Sequence, residues 1–242
     1  MNDDGYFDDA VAARYDDIHG GTDPAVIAQT VGCLLTLAEG GDILEFAVGT
    51  GRIALSLIDG GASVKGIELS KPMLEKLREK ETRAPMDVAI GDMTSTRVEG
   101  AFSLVFLVFN TLDNVTTQAG QVACFENAAR HLVSGGRFVV ETQVPPVQKI
   151  PFGEFRHAFA SSDQHFGVDE IDIADQTYTS NHVWMAHGQH THLSIPFRYA
   201  WPSELDLMAQ IAGLALEHRW SDWDRAPFDR MSTKHISVWR KP

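Results

Sequence analysis

The chain has 242 residues, of which 44% are hydrophobic and 22% are charged, as expected for a soluble globular protein. Its net charge of −13 disfavours DNA or RNA as the main partner, because phosphate neutralisation requires clustered Lys and Arg. We find no apolar run that could span a bilayer and no secretory signal at the N-terminus, so we expect a cytoplasmic protein with no membrane partner.

One helix is predicted in the N-terminal part of the chain. A Gly20-Gly21 break precedes Asp23 and Pro24, which are typical of a helix N-cap and of the first helical position. The helix is therefore expected to run from there to Ala38.

From Gly41 onward, predicted strands alternate with predicted helices. The strands are expected at Ile43–Phe46, Ser63–Glu68, Asp87–Ile90, Phe102–Phe109 and Arg137–Thr142. The helices are expected at Arg52–Ile58, Lys71–Glu81 and Gln121–Val133. This alternation predicts an α/β protein with a parallel sheet covered by helices on both faces.

The pattern changes after Gln143. Residues 144–200 contain four prolines, six histidines and short alternating runs, which indicate an antiparallel β insertion, a lid over the substrate. A helix at Ser203–Gly213, which Ser203 can cap, and strands at Leu216–Trp220 and His235–Arg240 are expected to follow. The predicted organisation is a core of residues 1–143 and 201–242 with a lid of residues 144–200.

Residues 42–54 combine a buried strand, a turn of small residues and the start of a helix. Ala47, Gly49 and Gly51 allow a ligand to approach the backbone, and the N–H groups from Arg52 onward can receive a negative group. The same glycines could merely form a tight turn. Because Gly49–Ala54 also fits a dinucleotide fingerprint, an NAD-dependent oxidoreductase is an alternative.

Acidic residues follow at successive strand ends. Glu68 lies 17 residues after Gly51, where its carboxylate could accept hydrogen bonds from both ribose hydroxyls. Asp92 could accept from an adenine amine, with Met93 packing near the base. Each carboxylate alone could be a solvated surface group, but together they indicate a nucleoside-binding crevice.

These motifs resemble those of the class I S-adenosylmethionine-dependent methyltransferases, small-molecule type. The matching segments are Leu44–Gly51, Gly66–Ser70 with Met73, Gly91–Met93, Phe102–Asn110 and Leu132–Glu141. The resemblance implies a Rossmann-like, doubly wound seven-stranded sheet with an antiparallel last strand. The family usually has glycine where this chain has Ala47, a residue still small enough for the turn.

The resemblance also implies roles around the cofactor. Glu45 would orient the methionine ammonium, Glu68 would hold the ribose, and Asp92 with Met93 would hold the adenine. Phe109 would lie near the sulfonium. The remaining cofactor contacts would come from Tyr15, Ala47, Gly49, Gly51, Arg52, Leu69 and Met73. Two of these have alternatives: Tyr15 could simply pack a helix against the sheet, and Arg52 could be an exposed first-turn residue.

The acceptor is expected at the edge of the crevice, beside Asn110, Asp113 and Asn114. This segment is similar to one in deoxyamino-sugar N-methyltransferases that carries a histidine about where Asn114 stands. Asparagine cannot act as a base at neutral pH, whereas Asp113 could accept a proton or cap the turn. Tyr15 is the third catalytic candidate, and Arg198 and Tyr199 are candidate substrate contacts.

The histidines of the lid suggest either a metal site or a catalytic base. They are His157, His165, His182, His187, His190 and His192. His190 and His192 would share a strand face, but no Cys or paired acid completes a tetrahedral set, so we expect no metal.

We therefore expect methyl transfer from S-adenosyl-L-methionine, with S-adenosyl-L-homocysteine as product, to an oxygen or nitrogen of a small molecule. The enzyme would be a monomer or homodimer without nucleic-acid partners. A non-catalytic cofactor-sensing protein of the same fold is a further alternative.

Overall fold

The computed structural model describes residues 6–19, 23–81, 85–186 and 188–242. The predicted Gly20-Gly21 break and His187 lie outside these ranges. Six α-helices are found in them: α1 Asp9–His19, α2 Pro24–Ala38, α3 Ala54–Asp59, α4 Lys71–Lys80, α5 Gln118–His131 and α6 Pro202–Ile211.

Seven strands form the central sheet. They are β1 Ile43–Phe46, β2 Val64–Glu68, β3 Asp87–Ile90, β4 Phe102–Leu107, β5 Leu132–Gln143, β10 Ala215–Trp220 and β11 Lys234–Arg240. Their order is β3-β2-β1-β4-β5-β11-β10. The pairs from β3 to β5 are parallel, whereas β11 is antiparallel to both of its neighbours. The predicted sheet, including its antiparallel last strand, is confirmed.

Two apolar clusters cover the two faces of this sheet. One contains Phe125 of α5, Phe138 of β5 and Trp239 of β11, all fully buried. The other contains Leu34 of α2 and Leu57 of α3. Successive residues of β1 contribute to opposite clusters, Leu44 and Phe46 to the first and Ile43 to the second, as a strand buried on both faces requires.

Several predicted element ends differ from the structure. Strand β4 ends at Leu107 rather than Phe109, because Phe109 and Asn110 adopt left-handed φ angles of 58° and 59° that interrupt the strand. Helix α5 begins at Gln118, where the Thr117 side chain accepts from Gly120 N–H. Helix α6 begins after Trp201, so the expected cap at Ser203 is wrong.

Helix α1 is absent from the sequence-based expectations. Its Asp16 carboxylate accepts a hydrogen bond from Thr50 Oγ1 at 2.7 Å and pairs with Lys80. Ahead of it, the backbone carbonyl of Phe7 accepts from Ser70 Oγ at 2.6 Å. These contacts place α1 over the loop that follows β1.

A separate antiparallel sheet lies within the predicted insertion. It contains β6 Arg156–Ser161, β7 His165–Asp172, β8 Thr177–Ala186 and β9 Gln189–Arg198, paired in that order. The guanidinium of Arg14 lies 5.4 Å from the ring centroid of Trp184, so α1 contacts this sheet as well as the core.

Candidate active site

The loop after β1 turns through three residues with positive φ. These are Ala47 at 51°, Gly49 at 58° and Gly51 at 81°. A Cβ at Gly51 would lie 2.9 Å from Leu77 Cγ, so the helix packing there requires glycine. Ala47 adopts the left-handed conformation that the family's usual glycine would adopt without strain.

Glu68, at the end of β2, holds this loop. Its Oε2 accepts from Gly49 N–H and its Oε1 from Ser70 N–H, each at 2.7 Å. Each carboxylate oxygen can accept a second bond, and Glu68 lines the cavity described below. The geometry therefore permits ribose hydroxyls to bind the same carboxylate.

We expect Glu68→Ala to affect both the loop and the cofactor. Losing these hydrogen bonds should lower the free energy of unfolding of the unliganded protein by about 1–3 kcal/mol and weaken S-adenosylmethionine binding by a similar amount. Denaturant unfolding and calorimetry measure the two effects. Glu68→Gln, which keeps an acceptor oxygen, is the matched control. Unchanged cofactor affinity in a folded Glu68→Ala variant would contradict the assigned role.

Glu45, in the middle of β1, is 4% exposed, and its Oε2 lacks a hydrogen-bond partner among the described residues. Burial raises the pKa of Glu45 well above its usual range. A hydrogen bond from Ala54 N–H and the charge of Arg52 act in the opposite direction and lower the pKa. Glu45 lines a small cavity with Tyr15, Gly49 and Arg52. A buried, unsatisfied carboxylate fits an ammonium group, as the methionine end of the cofactor would supply.

Tyr15 and Arg52 lie at the same end of the crevice. The Arg52 guanidinium is 3.7 Å from the ring centroid of Phe109. Tyr15 packs edge-on against Phe7, and burial raises its pKa while the charge of Arg52 opposes the shift. All three expected residues, Tyr15, Arg52 and Phe109, line the large cavity.

This cavity has a volume of about 1070 Å³. Single small ligands usually occupy about 300–1,000 Å³, so it can hold a cofactor and an acceptor together. On the core side, it is lined by the expected contacts Ala47, Gly49, Glu68, Leu69, Met73, Asp92 and Met93, whereas the expected contact Gly51 does not line it. On the other side, it is lined by residues of β6, β7, β8 and β9.

Hydrogen bonds from β5 hold the left-handed turn between the two sides. Glu141 Oε2 accepts from Phe109 N–H at 3.2 Å, and the Glu141 carbonyl accepts from Asn110 N–H at 3.2 Å. Asn110 Oδ1 in turn accepts from Gln143 N–H at 2.7 Å. A left-handed phenylalanine is strained, and such strain persists only where the surroundings fix it.

Asp113 lies behind this turn, in the short 3₁₀ helix Thr111–Asn114, and is 2% exposed. Its Oδ2 accepts from the Tyr178 hydroxyl at 3.1 Å and from Gln143 Nε2 at 3.2 Å. Its Oδ1 accepts from Thr142 Oγ1 at 3.2 Å. Burial raises the pKa of Asp113 to about 7, despite these hydrogen bonds.

The expected substrate residues divide into two groups. Asn110 and Asn114 line the cavity, while Asp113 reaches it only through Tyr178 and Gln143, which both line it. The expectation that Asp113 contacts the substrate directly is therefore corrected: its link to the cavity is indirect.

Arg198 and Tyr199 are placed differently from the expectation. Arg198 is 5% exposed and is bound to Glu204 at 2.7 Å and to Gln121 at 2.5 Å. Tyr199 is 3% exposed. Neither lines the cavity, because both pack where β9 joins α6. Their expected role as substrate contacts is corrected to a structural one.

Sequence reasoning missed Tyr178, Gln143 and Asp169. The available signal was the period-two pattern Tyr178, Ser180, His182 and Trp184, which places these side chains on one strand face. All four line the cavity.

Two further features concern metals and membranes. Across the described ranges, no group of three or more His, Cys, Asp or Glu side chains is arranged to hold a metal ion. In the same ranges, no helix combines the length and apolar composition of a membrane span.

The chain matches a family model described as "Methyltransferase domain" over residues 43–136. It is 34% identical to the CcbJ methyltransferase from Streptomyces caelestis, whose structure aligns over 99% of both chains with a TM-score of 0.88. It is 26% identical to a cypemycin N-terminal methyltransferase from a Streptomyces species, covering 83% of each chain.

A third relative is a dTDP-3-amino-3,6-dideoxy-alpha-D-glucopyranose N,N-dimethyltransferase from Streptomyces fradiae. The identity is 33% over 41% of this chain and 38% of that protein. An NAD-dependent oxidoreductase and a non-catalytic cofactor sensor receive no support from these similarities. The full-length likeness to CcbJ, together with the fold, shows that this chain belongs to the class I methyltransferases, which transfer a methyl group from S-adenosylmethionine.

Proposed function

We propose that the protein methylates an amine nitrogen of a small molecule held between the edge of the central sheet and the lid sheet, β6–β9. One observation carries the proposal. Tyr178 lines the cavity, and its hydroxyl donates a hydrogen bond to the buried Asp113 carboxylate. The site therefore offers a path for a proton to leave the acceptor.

An amine of ordinary basicity is protonated at neutral pH and must lose its proton before its lone pair can attack. Asp113, with its pKa raised by burial to about 7, is suited to accept that proton. The Tyr178 oxygen can accept a proton from the ammonium as its own hydroxyl proton passes to Asp113 Oδ2. Gln143 Nε2 donates to the Tyr178 hydroxyl at 2.9 Å and holds it in place.

When bound, S-adenosylmethionine would supply an electrophilic methyl group and would keep the electron pair of the carbon–sulfur bond on sulfur. The nitrogen lone pair forms the new carbon–nitrogen bond, and the displaced proton rests on Asp113. The chain contributes orientation and a dry site, through Glu45, Glu68 and the turn at Phe109.

The names of two relatives support this proposal. The cypemycin N-terminal methyltransferase and the dideoxy-sugar N,N-dimethyltransferase both act on nitrogen. The proposal includes a cytoplasmic monomer or homodimer without nucleic-acid partners, in keeping with the net charge of −13.

Incubation with S-adenosylmethionine and a panel of primary and secondary amines, and of matching alcohols, tests this function. We expect methyl transfer to nitrogen, with the product identified by mass spectrometry. Tyr178→Phe should lower kcat by about 10–100-fold, because the proton path is broken. Tyr199→Phe, a neighbouring tyrosine outside the cavity, should change it less than twofold. Methylation of the alcohols alone, or full activity of Tyr178→Phe, would refute the proposal.

A further inference from the structure

The lid presents a mostly apolar face to the cavity. Alternate residues of β8 and β9 line it, namely Tyr178, Ser180, His182 and Trp184 from β8 and Leu193, Ile195 and Phe197 from β9. The rings of His182 and Trp184 are stacked, with centroids 4.9 Å apart. Phe159 packs edge-on against His182 at 5.1 Å, where the absence of a side chain at Gly167 makes room for its ring.

Asp169 of β7 is the exception on this face. It is the one carboxylate among the described lid residues that line the cavity, and it stands opposite Ser180 in the β7–β8 register. Its Oδ1 is buried without a hydrogen-bond partner, and it forms no ion pair with Lys or Arg in the described part of the chain. A buried carboxylate oxygen without a partner is costly.

The groups around Asp169 offset its burial only in part. Its register partner on β6 is His157, whose charged form would favour ionisation of Asp169, and Ser180 on β8 is a hydrogen-bond donor. Burial nevertheless dominates and raises the pKa of Asp169. A cation in the cavity would supply the charge that the protein leaves out.

We propose that Asp169, together with Ser180 and the aromatic wall of Phe159, His182 and Trp184, binds a second, protonated amino group of the acceptor. This inference rests on the proposed N-methylation and assigns the acceptor to the diamines and other dibasic small molecules. The aromatic rings attract a cation, and the carboxylate can both neutralise it and accept its hydrogen bond.

The two carboxylates of the site then have different tasks. Asp113 is linked to the cavity through the Tyr178 hydroxyl, and Tyr178 lines the same cavity as Asn114 and Phe109. Asp169 has no such relay and is two residues further along the inner face, opposite Ser180. The nitrogen at Tyr178 is methylated, while the nitrogen at Asp169 stays protonated and fixes the orientation of the acceptor.

Binding to the full-length protein saturated with S-adenosylhomocysteine tests this inference without requiring turnover. The probes are 1,4-bis(aminomethyl)benzene, benzylamine and 4-(aminomethyl)benzyl alcohol, and calorimetry or ligand-observed NMR gives each Kd. We expect the diamine to bind about tenfold or more tightly than either monoamine, as a charged hydrogen bond allows. Asp169→Asn should remove this preference by weakening the binding of the diamine about tenfold or more.

Glu170→Gln is the matched control. Glu170 is the next residue of β7, is exposed and pairs with Arg156 on the other face, so its loss removes the same charge without changing the cavity. It should retain the preference for the diamine. Equal affinity for the three probes, equal affinity for the diamine and the amino alcohol, or a preference that survives Asp169→Asn would overturn the inference.

The failure of the inference and the failure of the proposed function remain distinct. A preference that depends on Asp169, combined with no methyl transfer to any nitrogen, would reject N-methylation and leave the cationic subsite in place. Methyl transfer to amines, combined with no preference for the diamine, would support N-methylation and reject the cationic subsite.

Discussion

Asp113→Asn is expected to lower kcat at pH 8 by about 10²–10⁴-fold, the usual contribution of a general base. The amide can occupy the same space but cannot accept a proton. In the wild-type protein, activity should rise with pH around 7, where burial places the pKa of Asp113. This inflection should be absent from the pH profile of the variant.

The same substitution should stabilise the protein at high pH. Because the folded-state pKa of Asp113 is raised from 3.8 to about 7, the folded chain holds a proton that the unfolded chain has already released. Stability therefore falls as the pH rises from about 4 to 7, by on the order of 4 kcal/mol. Asparagine avoids this loss but rearranges the hydrogen bonds to Thr142, Gln143 and Tyr178. We expect a net gain of about 1–3 kcal/mol at pH 8 and a small loss at pH 4.

Denaturant unfolding at both pH values and steady-state kinetics test this pair of effects. Asp163→Asn, which removes an exposed carboxylate from the lid, is the control and should change neither quantity. The change in stability caused by Asp113→Asn is compared with wild type at each pH. A change that is less favourable at pH 8 than at pH 4 would contradict the cost of ionising the buried Asp113. Retained kcat would remove Asp113 from the proton path.

Glu45→Gln should weaken binding of S-adenosylmethionine by about 10–100-fold, because a charged hydrogen bond to the ammonium is replaced by a neutral one. The unliganded variant should be more stable than wild type at pH 8. The reason is that burial raises the pKa of Glu45 and makes its ionised form costly in the empty site. A loss of affinity for S-adenosylmethionine together with a gain in stability is expected of a buried carboxylate that binds a cation.

Calorimetry in buffers of different ionisation enthalpy adds an independent readout. A Glu45 that is protonated in the unliganded protein should release its proton when the ammonium binds, and Glu45→Gln should abolish this release. The matched ligand is 5′-methylthioadenosine, which lacks the amino-acid part and should bind both proteins equally. Equal loss of affinity for both ligands would show that the substitution disturbs the loop rather than the ammonium contact.

The cofactor side of the site could be predicted from the sequence because its determinants are local. Ala47, Gly49 and Gly51 lie in one turn, and Glu68 and Asp92 follow successive parallel strands whose carboxyl ends meet at one edge of the sheet. The antiparallel last strand followed from the resemblance rather than from any local pattern.

The acceptor side could not be predicted in the same way. Tyr178 meets Asp113 across 65 positions of sequence, and only the packing of the lid against the turn after β4 brings them together. Burial also separates residues that look alike in sequence, since Arg198 is bound within the protein while Arg52 lines the cavity. Helix α1 was missed because its position depends on polar contacts from Asp16 to Thr50 and Lys80, with no strong apolar periodicity.

A crystal structure with S-adenosylhomocysteine would show whether one cavity presents the methyl donor to an acceptor beneath the lid. We predict the ribose at Glu68, the homocysteine amine within hydrogen-bonding distance of Glu45, and the sulfur facing the space beside Tyr178. A sulfur atom turned away from that space, or a nucleoside bound elsewhere on the protein, would contradict the account.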